Sequence, residues 1–359
     1  MKKQIKRKSK MKKGFYSFPQ NKIIADYLQR FAKAYSLLGK HFRSRAYKKA
    51  LTALEMNVTT NITSGKQVRD FKGVGEKIVA KIDELIETGT IQALEQLESN
   101  PMLTAYDELT QIHGVGPAKA KKWISENIYS IADLKKAVNA GKTKLTKAQK
   151  LGLDHFDELH TRISQYEMDI HRDLILTLLK SVNPEFEVQL AGSYRRYKNL
   201  DPVERKKNTS GDIDVLITHK SVKTKEDMDK NSFLKDIAKA FEKKGYSLGR
   251  LTLGKTKYSA VIALPKDYLK SQKVDIKKGK ARHLDIRLFP QDTFVYSLFH
   301  FTGSGPHNMR LRAKAIKKGY SLTEYGLFTL DGERVEGLKT EAEIYKKLGQ
   351  KYIPPENRD

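Results

Sequence analysis

The chain has 359 residues, no cysteine and a formal net charge of +27, from 69 lysines and arginines against 42 aspartates and glutamates. This length predicts two or three domains, and the absence of cysteine excludes disulfide scaffolds, thiolate zinc sites and cysteine nucleophiles. The excess of positive charge favours a polyanionic partner. No apolar run approaches a membrane span and the N-terminus lacks the apolar stretch of a secretory signal, so we expect no membrane association.

The first residues form a basic block. Residues 1–13 contain eight lysines and arginines and no acidic residue. Such a block repels itself, so we expect a disordered arm over residues 1–19. It could serve as a nuclear-import signal, as a nucleic-acid-binding arm or only as a solubilising tail.

Hydrophobic periodicity divides the rest of the chain into two halves. Apolar residues recur at three- and four-residue steps from about 21 to 98, and helical patterns continue to about 160, ending with helices at 134–140 and 147–159. After Pro184 the pattern alternates, as in strands with one buried face, at 186–190, 213–217 and 284–288, with helices at 165–181 and 232–244. The polar span 198–210 and the lysine-rich span 266–282 predict loops. The fold class is therefore an all-α basic half followed by an α+β half.

A short internal repeat lies in the helical half. Phe71-Lys-Gly-Val-Gly recurs 41 residues later as Ile112-His-Gly-Val-Gly, each time before a helix. Two glycines in three residues permit a turn with positive φ and leave backbone N–H groups bare, so that they and the helix N-terminus can approach a phosphate. The repeat predicts two helix-hairpin-helix motifs, with Gly73, Gly75, Gly114 and Gly116 at the DNA backbone, although a single copy could be a simple helix cap.

Lys77 and Lys81 are four residues apart on the helix after the first hairpin, and so lie on one face. Like charges one turn apart depress each other's pKa, and an amine with a lowered pKa is suited to Schiff-base formation. A pair of solvated lysines would show the same spacing.

Carboxylates carry the second constellation. Asp212 and Asp214 flank Ile213 in a strand pattern, which places both carboxylates on one face, and Asp285 alternates with Leu284 and Ile286 in the same way. If the two strands are neighbours, three carboxylates share one patch, which is costly unless cations fill it. Oxygen ligands suit Mg²⁺, and two such ions would form a phosphoryl-transfer site.

Upstream, Gly192-Ser193 follows a strand and precedes Arg195-Arg196. A Gly-Ser turn offers backbone N–H groups and a hydroxyl to phosphate oxygens, and the arginines supply charge. Gly-Ser followed by Asp-x-Asp is the pattern of a nucleotidyltransferase. Arg310 and Arg312 are further candidate phosphate or template contacts.

Together these motifs resemble the family X DNA polymerases, from about residue 20 to the C-terminus. Eight ordered segments carry the resemblance: FKGVGEKIVAKIDELIETG, IHGVGPAKAKKW, LTKAQKLGLDHFDEL, AGSYRR, SGDIDVLITH, HLDIRL, HFTGSGPHNMRLRAKAIKKGY and LTEYGL. The resemblance implies a helical lyase domain at 20–96, a helical DNA-binding fingers subdomain at 97–164, a nucleotidyltransferase palm at 165–291 and a thumb-like subdomain for the nascent base pair at 292–359.

The function implied by this resemblance is template-directed filling of short gaps in base excision repair, with 5′-deoxyribose-phosphate lyase activity. The implied ligands are gapped or nicked DNA, a dNTP, two Mg²⁺ ions with Mn²⁺ as an alternative, and a monovalent cation, Na⁺ or K⁺, at each hairpin. We expect a monomer in the nucleus; a large DNA virus is an alternative source.

The resemblance also assigns roles to individual residues. Asp212, Asp214 and Asp285 match the metal ligands, and Asp285 also the base for the primer 3′-hydroxyl. Lys81 matches the Schiff-base lysine, with Tyr47, Arg69 and Lys77 around the 5′-phosphate. The positions matching the nucleotide site are Arg162, Gly192, Ser193, Arg196, Ser210, Gly211, His300, Phe301, Gly303 and Asn308, and Arg312 matches a template contact. Arg287 and Tyr325 match positions that rearrange on closing. The carbonyls matching the cation sites are those of Arg69, Phe71 and Val74, and of Thr110, Ile112 and Val115.

Several positions depart from the family pattern. Phe42 and Arg43 replace a histidine and a lysine in the 5′-phosphate pocket. Near the nascent base pair, Gly305, Met309 and His300 replace an aspartate, a lysine and a tyrosine, and beside the third carboxylate His283 replaces an arginine. The loop 197–209 is several residues longer than the pattern. The remaining alternatives are a template-independent terminal transferase, an RNA-specific nucleotidyltransferase and a non-catalytic DNA-binding protein.

Overall fold

The computed structural model of the protein describes residues 15–272 and 279–358. Most of the predicted basic arm therefore lies outside the described residues. The described residues begin at Phe15, within the predicted arm; Phe15 is buried against the helical core, and its carbonyl accepts a hydrogen bond from Asn21. The described residues form two compact units: one holds the chain up to Gln111 together with Val115–Thr143, the other Ile112–Gly114 and the chain from Lys144.

The first unit is helical, as predicted. A short 3₁₀ turn at Phe15–Ser17 precedes α1 (Pro19–Leu37), α2 (His41–Asn57), α3 (Glu76–Thr88), α4 (Gln92–Glu98), α5 (Pro101–Thr110), α6 (Pro117–Ser125) and α7 (Ile131–Asn139), with another 3₁₀ turn at Gly65–Val68. The apolar stripe of α1, which includes Ile24, Leu28 and Phe31, is fully buried against α2 and α3. This burial explains why the three- and four-residue spacing predicts the helix correctly.

The second unit begins with two short helices and continues as an α+β fold. Its helices are α8 (Lys147–Asp154), α9 (Phe156–His160), α10 (Gln165–Val182), α11 (Gly192–Tyr197), α12 (Pro202–Lys207), α13 (Lys225–Lys230), α14 (Phe233–Lys243), α15 (Lys266–Ser271), α16 (Phe294–Thr302), α17 (Gly305–Lys317) and α18 (Glu341–Lys347). Its strands are β1 (Ile163–Ser164), β2 (Glu187–Leu190), β3 (Thr209–Ser210), β4 (Ile213–Thr218), β5 (Ser247–Leu253), β6 (Lys257–Ile262), β7 (Arg282–Leu288), β8 (Tyr320–Thr323) and β9 (Gly326–Thr329).

A five-stranded sheet with the order β2-β4-β7-β6-β5 is the core of this unit. Strands β4 and β7 run parallel, and the other neighbours are antiparallel. Buried residues alternate along β7, with Leu284, Ile286 and Leu288 in the core. The two aspartate-bearing strands are neighbours, which meets the condition for a shared carboxylate patch, since Asp214 is the register partner of Asp285.

Several predicted boundaries need correction. The predicted loop at 198–210 contains helix α12, which Asp201 caps by accepting hydrogen bonds from the backbone N–H groups of Val203 and Glu204. The predicted loop at 266–282 begins with α15 and ends in β7, and its residues 273–278 lie outside the described part of the chain. The predicted single helix at 147–159 is instead two helices: α8 ends at Asp154, and α9 begins at Phe156 after the cap residue His155.

The predicted subdomain at 97–164 is divided between the two units. Its last part belongs to the second unit, where Leu151 of α8 packs close to Gly249 of β5 and Arg282 of β7 donates to the carbonyl oxygens of Glu158 and Thr161. These contacts tie α8 and α9 to the sheet. Within residues 15–272 and 279–358, no helix is long and apolar enough to cross a membrane.

Candidate nucleotide-binding cleft and carboxylate site

A cleft of about 610 Å³ in the second unit brings together most of the predicted nucleotide-binding residues. It lies where α11 follows β2 and where α16 meets α17. Its predicted members are Arg162, Gly192, Ser193, Arg196, Gly211, Asp212, Asp214, His300, Phe301, Gly303, Asn308 and Arg312. A Gly-Ser turn, three arginines and two carboxylates in one cleft are a chemically consistent site for a polyphosphate with its cations.

Gly192 is the position where the backbone needs a glycine. Its φ is +58°, and a Cβ there would lie 2.5 Å from Oδ2 of Asp214. The turn that begins α11 can therefore pass directly over the carboxylate only because the side chain is missing. This close approach places the N-terminal turn of α11 beside the carboxylates.

Two of the three arginines of the cleft, Arg162 and Arg196, donate hydrogen bonds to uncharged oxygens. Arg196 donates to the carbonyl oxygen of Thr302 at 2.8 Å. Arg162 donates to two atoms of Thr209, the side-chain hydroxyl at 3.0 Å and the backbone carbonyl. These carbonyl and hydroxyl partners carry no formal charge, so the hydrogen bonds orient the two guanidinium groups without neutralising them.

Ser210 is the predicted nucleotide-binding residue that the structure does not bring into the cleft. It is fully buried, and its hydroxyl accepts a hydrogen bond from Gln165 at 3.2 Å. Sequence reasoning in turn did not select Tyr197, Thr302 or Ser304, which do line the cleft. No pattern in the sequence distinguishes these residues, because they line the cleft only when the end of α11 and the junction of α16 and α17 come together in the fold.

The three carboxylates differ in burial. Asp212 is exposed just before β4, Asp214 is partly buried in the strand, and Asp285 lies beside it in β7. Burial, and then the negative charges of Asp212 and Asp285, raise the pKa of Asp214 to about 7. Asp214 therefore resists ionisation, as a buried carboxyl beside two like charges must.

Lys257 is the functional candidate that sequence reasoning missed. Its ammonium lies 2.7 Å from Oδ2 of Asp285, across the β6–β7 pairing. Burial alone would raise the pKa of Asp285, but the hydrogen bonds from Lys257 and Ser259 and the charge of His283 together lower it. Only the strand register, which the sequence does not reveal, places Lys257 there.

This ion pair decides how far the carboxylate site is formed. Among the residues described, no three His, Cys, Asp or Glu side chains lie close enough together to hold a metal ion. The side chains nevertheless suit a hard divalent cation, since all three are oxygen donors and Oδ1 of Asp285 is buried with no hydrogen-bond partner among the described residues. The predicted patch is thus present on neighbouring strands, with its third member engaged by a lysine.

The aromatic wall of the cleft belongs to α16. His300 accepts at Nδ1 from Arg312 at 3.1 Å, and its carbonyl accepts from Asn308 at 2.7 Å. The guanidinium of Arg287 lies 4.8 Å from the centre of the Phe301 ring. Asn308, Arg312 and Arg287 therefore each contact one of these two adjacent residues, His300 or Phe301.

Both hairpins have the backbone predicted for them. Gly73 and Gly114 have φ of +112° and +75°. Gly75 and Gly116 have ordinary φ, cap α3 and α6, and a Cβ on either would meet nothing within 4 Å. The N–H groups at these helix ends are thus open to a backbone phosphate. The structure does not test the predicted cation sites at the hairpin carbonyls.

The predicted lyase residues form a cationic and aromatic group in the first unit. Tyr47 is buried and stacks on Phe31 at 4.6 Å, and the ammonium of Lys81 lies 5.6 Å from the centre of the same Phe31 ring. Lys77 is exposed one turn earlier on α3, whereas Arg69 is paired with Glu76 at 2.7 Å. Phe42, which replaces a histidine of the family pattern, is 85% exposed, so it adds no polar group to this pocket.

Comparisons with known proteins agree with this arrangement. Family models match consecutive parts of the chain: a helix-hairpin-helix domain at 19–91, a SAM-like helix-hairpin-helix tandem at 65–126, the fingers domain of DNA polymerase lambda at 107–160, the DNA polymerase beta palm at 162–291 and the DNA polymerase beta thumb at 297–359. The order of these matches is the order of subdomains that the motifs predict.

Two curated relatives are proteins named DNA polymerase lambda. The one from Arabidopsis thaliana is 29% identical over 362 residues, covering 94% of this chain and 62% of the relative. The one from Rattus norvegicus is 28% identical over 358 residues, covering 94% of this chain and 56% of the relative. The chain thus spans only about three fifths of the length of these relatives. With the palm, thumb and fingers all matched in sequence, the chain belongs to the family X DNA polymerases.

Proposed function

We propose that the protein is a template-directed DNA polymerase that fills short gaps during base excision repair and removes the 5′-deoxyribose phosphate. The observation that carries the polymerase activity is the cleft in which the Gly192-Ser193 turn, Arg162 and Arg196 face Asp212 and Asp214. This arrangement suits the triphosphate of a dNTP, because a phosphate chain needs fixed N–H donors and arginines, and its cations need carboxylates.

The chain's own residues would do the following work. Arg162 and Arg196 hold the triphosphate from two sides, and the α11 N-terminus orients it. Asp212, Asp214 and Asp285 would hold two divalent cations, Mg²⁺ or Mn²⁺, which when bound polarise the reacting phosphate and lower the pKa of the attacking hydroxyl. Asp285 is the candidate acceptor of the primer 3′-hydroxyl proton, and it becomes free for this role when Lys257 releases it.

The lyase activity is assigned to the first unit. Lys81 is half-buried on α3, with Lys77 one turn before it as the candidate 5′-phosphate contact. Its amine would attack the sugar aldehyde with loss of water to give an imine. Removal of a C2′ proton would then break the C3′–O bond and release the 5′-phosphate of the downstream strand, and water would hydrolyse the imine to regenerate the lysine. The hairpins of α3 and α6 would hold the DNA backbone without reading sequence.

The test uses a DNA substrate with a one-nucleotide gap and a 5′-phosphate. Addition of one complementary nucleotide, dependent on a divalent cation and on the template base, is the expected result. Addition irrespective of the template base would indicate a terminal transferase. No addition, with intact binding of gapped DNA, would indicate a DNA-binding protein without catalysis.

A further inference from the structure

The segment 197–209, longer than the family pattern, is a folded element. Helix α12 (Pro202–Lys207) has Asp201 as its N-cap, with hydrogen bonds of 3.0 and 3.1 Å, and Pro202 in its first turn. At its C-terminal end the side chain of Asn208 donates to the carbonyl of Glu204 at 2.9 Å. A capped helix keeps a fixed position relative to its neighbours when a tertiary contact holds it.

Arg205 provides that tertiary contact. Its Nη2 lies 2.6 and 2.7 Å from the two carboxylate oxygens of Asp169 on α10, and the two side chains are only 26% and 23% exposed. Partial burial makes this pair stronger than an ordinary surface ion pair. Arg205 therefore fastens α12 to the long helix that packs under the sheet.

Asp169 also binds α11, through the side chain of Tyr194. The Tyr194 hydroxyl donates to Oδ1 of Asp169 at 2.8 Å and accepts from Arg172 at 2.9 Å, and the tyrosine is 3% exposed. Tyr194 directly follows Ser193 and lies two residues before Arg196, both of which line the cleft. One carboxylate thus joins the extra helix to the helix that forms one wall of the proposed triphosphate site.

The other end of the segment reaches the opposite wall. Directly after α12, Thr209 pairs with Ser164 in the β1–β3 ladder and accepts the hydrogen bonds of Arg162 through its hydroxyl and its carbonyl. The segment therefore begins at α11, which carries Arg196, and ends at the residue that holds Arg162. A shift of α12 would displace both arginines.

We propose that α12 is a brace for the triphosphate site, in which Arg205, through Asp169, sets the spacing of Arg162 and Arg196 and thereby the affinity for nucleotide. This inference rests on the proposed function. Arg205 is a positioning residue, since it does not line the cleft and acts on its walls through Asp169. Ordering side chains when a ligand binds costs free energy, and a site already held in its binding geometry avoids that cost. Such a brace therefore increases the affinity for nucleotide.

The rival explanation is simple charge. Arg205 adds positive charge near a polyanion, and Asp169 adds negative charge. On that explanation, Arg205→Met weakens nucleotide binding and Asp169→Asn strengthens it. A brace predicts that both variants weaken binding, because each removes one side of the same contact, so the sign of the Asp169→Asn effect distinguishes the two.

The experiment measures the nucleotide dissociation constant on gapped DNA with a dideoxy-terminated primer, which binds dNTP without reaction. Arg205→Met and Asp169→Asn should each weaken dNTP binding by about fivefold to twentyfold, which is less than the full effect of a charged hydrogen bond because the contact acts on the nucleotide only through the walls of the site. The double variant should be no weaker than the worse single variant, since both changes remove the same contact. Hydrogen exchange at the amides of 192–197 should become faster in all three.

Lys207→Met is the matched control, because Lys207 lies on the same helix and its ion pair among the described residues stays within that helix, with Glu204 at 2.6 Å. It should leave nucleotide binding unchanged. Gapped-DNA affinity and the melting temperature should change little in every variant. In single-turnover experiments on extendable primers, the nucleotide concentration at half-maximal rate should rise more than the maximal rate falls.

Three results would overturn the brace: unchanged nucleotide affinity in Arg205→Met, tighter binding by Asp169→Asn, or a loss of nucleotide binding matched by equal losses of DNA affinity and thermal stability. Failure of the unaltered protein to bind any dNTP in this complex would instead overturn the proposed polymerase function, and with it this role for α12.

Discussion

The two units use charge in opposite ways. In the first unit the candidate phosphate ligands are cations at the surface: Lys77 is exposed, and Arg69 is paired with the exposed Glu76. In the second unit the candidate cation ligands are carboxylates grouped on neighbouring strands, where they raise the pKa of Asp214. Surface cations remain charged and solvated before a ligand arrives, whereas grouped carboxylates are destabilised until a counter-charge arrives.

This difference in charge indicates how far each candidate site depends on its ligand for electrostatic balance. Lys77 of α3 is ready to bind an incoming phosphate without any further counter-charge. The carboxylates of β4 and β7 use a lysine of the protein, Lys257, as counter-charge for Asp285 and leave Asp214 without one of comparable proximity among the described ion pairs. Five measurements would break or sharpen this contrast.

The largest effect is expected at the third carboxylate. Asp285→Asn should lower the rate of nucleotide addition by more than about 100-fold, a barrier increase of about 2.7 kcal/mol, because it removes both a cation ligand and the proton acceptor. Single-turnover gap filling measures the rate. Gapped-DNA affinity should remain within a few-fold, since the hairpins carry it. Asp331→Asn, at an exposed turn, is the control, and retention of more than about a tenth of the rate by Asp285→Asn would contradict the carboxylate site.

The matching experiment in the first unit concerns Lys81. Borohydride reduction during reaction with incised abasic DNA should trap a covalent adduct with the unaltered protein and with Lys135→Ala, but none with Lys81→Ala. Gap filling by Lys81→Ala should persist, because its residues belong to the other unit. Equal trapping by Lys81→Ala would assign the amine to another lysine, and the absence of any adduct would leave this unit with binding alone.

Salt dependence tests how much of the surface charge binds DNA. Each neutralised phosphate on duplex DNA contributes a slope of about −0.9 to the plot of log affinity against log salt. Given the net charge of +27 and two hairpins, several phosphates should be neutralised at once. The slope should be steeper than about −2 when gapped-DNA affinity is titrated with salt; a shallower slope would show that most of the charge does not contact DNA.

The open glycines of the hairpins give a smaller, local effect. Gly75→Ala and Gly116→Ala should fold normally, because their φ values of −95° and −91° suit any residue and the new Cβ meets no atom within 4 Å. Each should weaken gapped-DNA binding by about twofold to fivefold, since the methyl group occupies the approach of a phosphate to the helix end.

Gly89→Ala is the control for these variants. Its φ of +78° strains any other residue, so this change should lower the melting temperature while DNA affinity remains unchanged. If Gly75→Ala and Gly116→Ala bound DNA as tightly as the unaltered protein, the hairpins would be helix caps and not phosphate contacts.

The smallest effect concerns the proton on Asp214. The pKa of Asp214 is raised to about 7 in the folded protein, so ionisation of Asp214 opposes folding. The folded protein is therefore most stable at low pH, where Asp214 is protonated in both states, and it loses this stability as pH rises through about 7. Asp214→Asn should therefore raise the melting temperature of the cation-free protein near pH 8, and the difference should shrink as pH falls towards 5. Divalent cations at pH 8 should reverse the order, since only the unaltered site binds them. A lower melting temperature for Asp214→Asn without cations would contradict the strained carboxylate cluster.

Sequence patterns that depend on local physics predicted much of the molecule. The three- and four-residue spacing of α1, the alternation of Leu284, Ile286 and Leu288 and the paired Gly-Val-Gly motifs each reflect one element and the face it buries. The same local rules placed Asp214 and Asp285 on the faces opposite Ile213 and Ile286, although Leu216 shows that β4 is buried on both faces and not on one as predicted. The order of the motifs led to the family.

Only the tertiary structure decided the contacts between elements that are distant in the chain. Whether β4 lies beside β7, and which residue of β6 faces Asp285, depend on strand order and register, so Lys257 carries no signal of its role in the sequence. Segment 198–210 is polar and predicts a loop, yet α12 forms because Asp201 caps it and Arg205 finds Asp169 on α10. Charged residues have no hydrophobic periodicity to reveal their partners, because an ion pair is fixed by where the fold brings two side chains together.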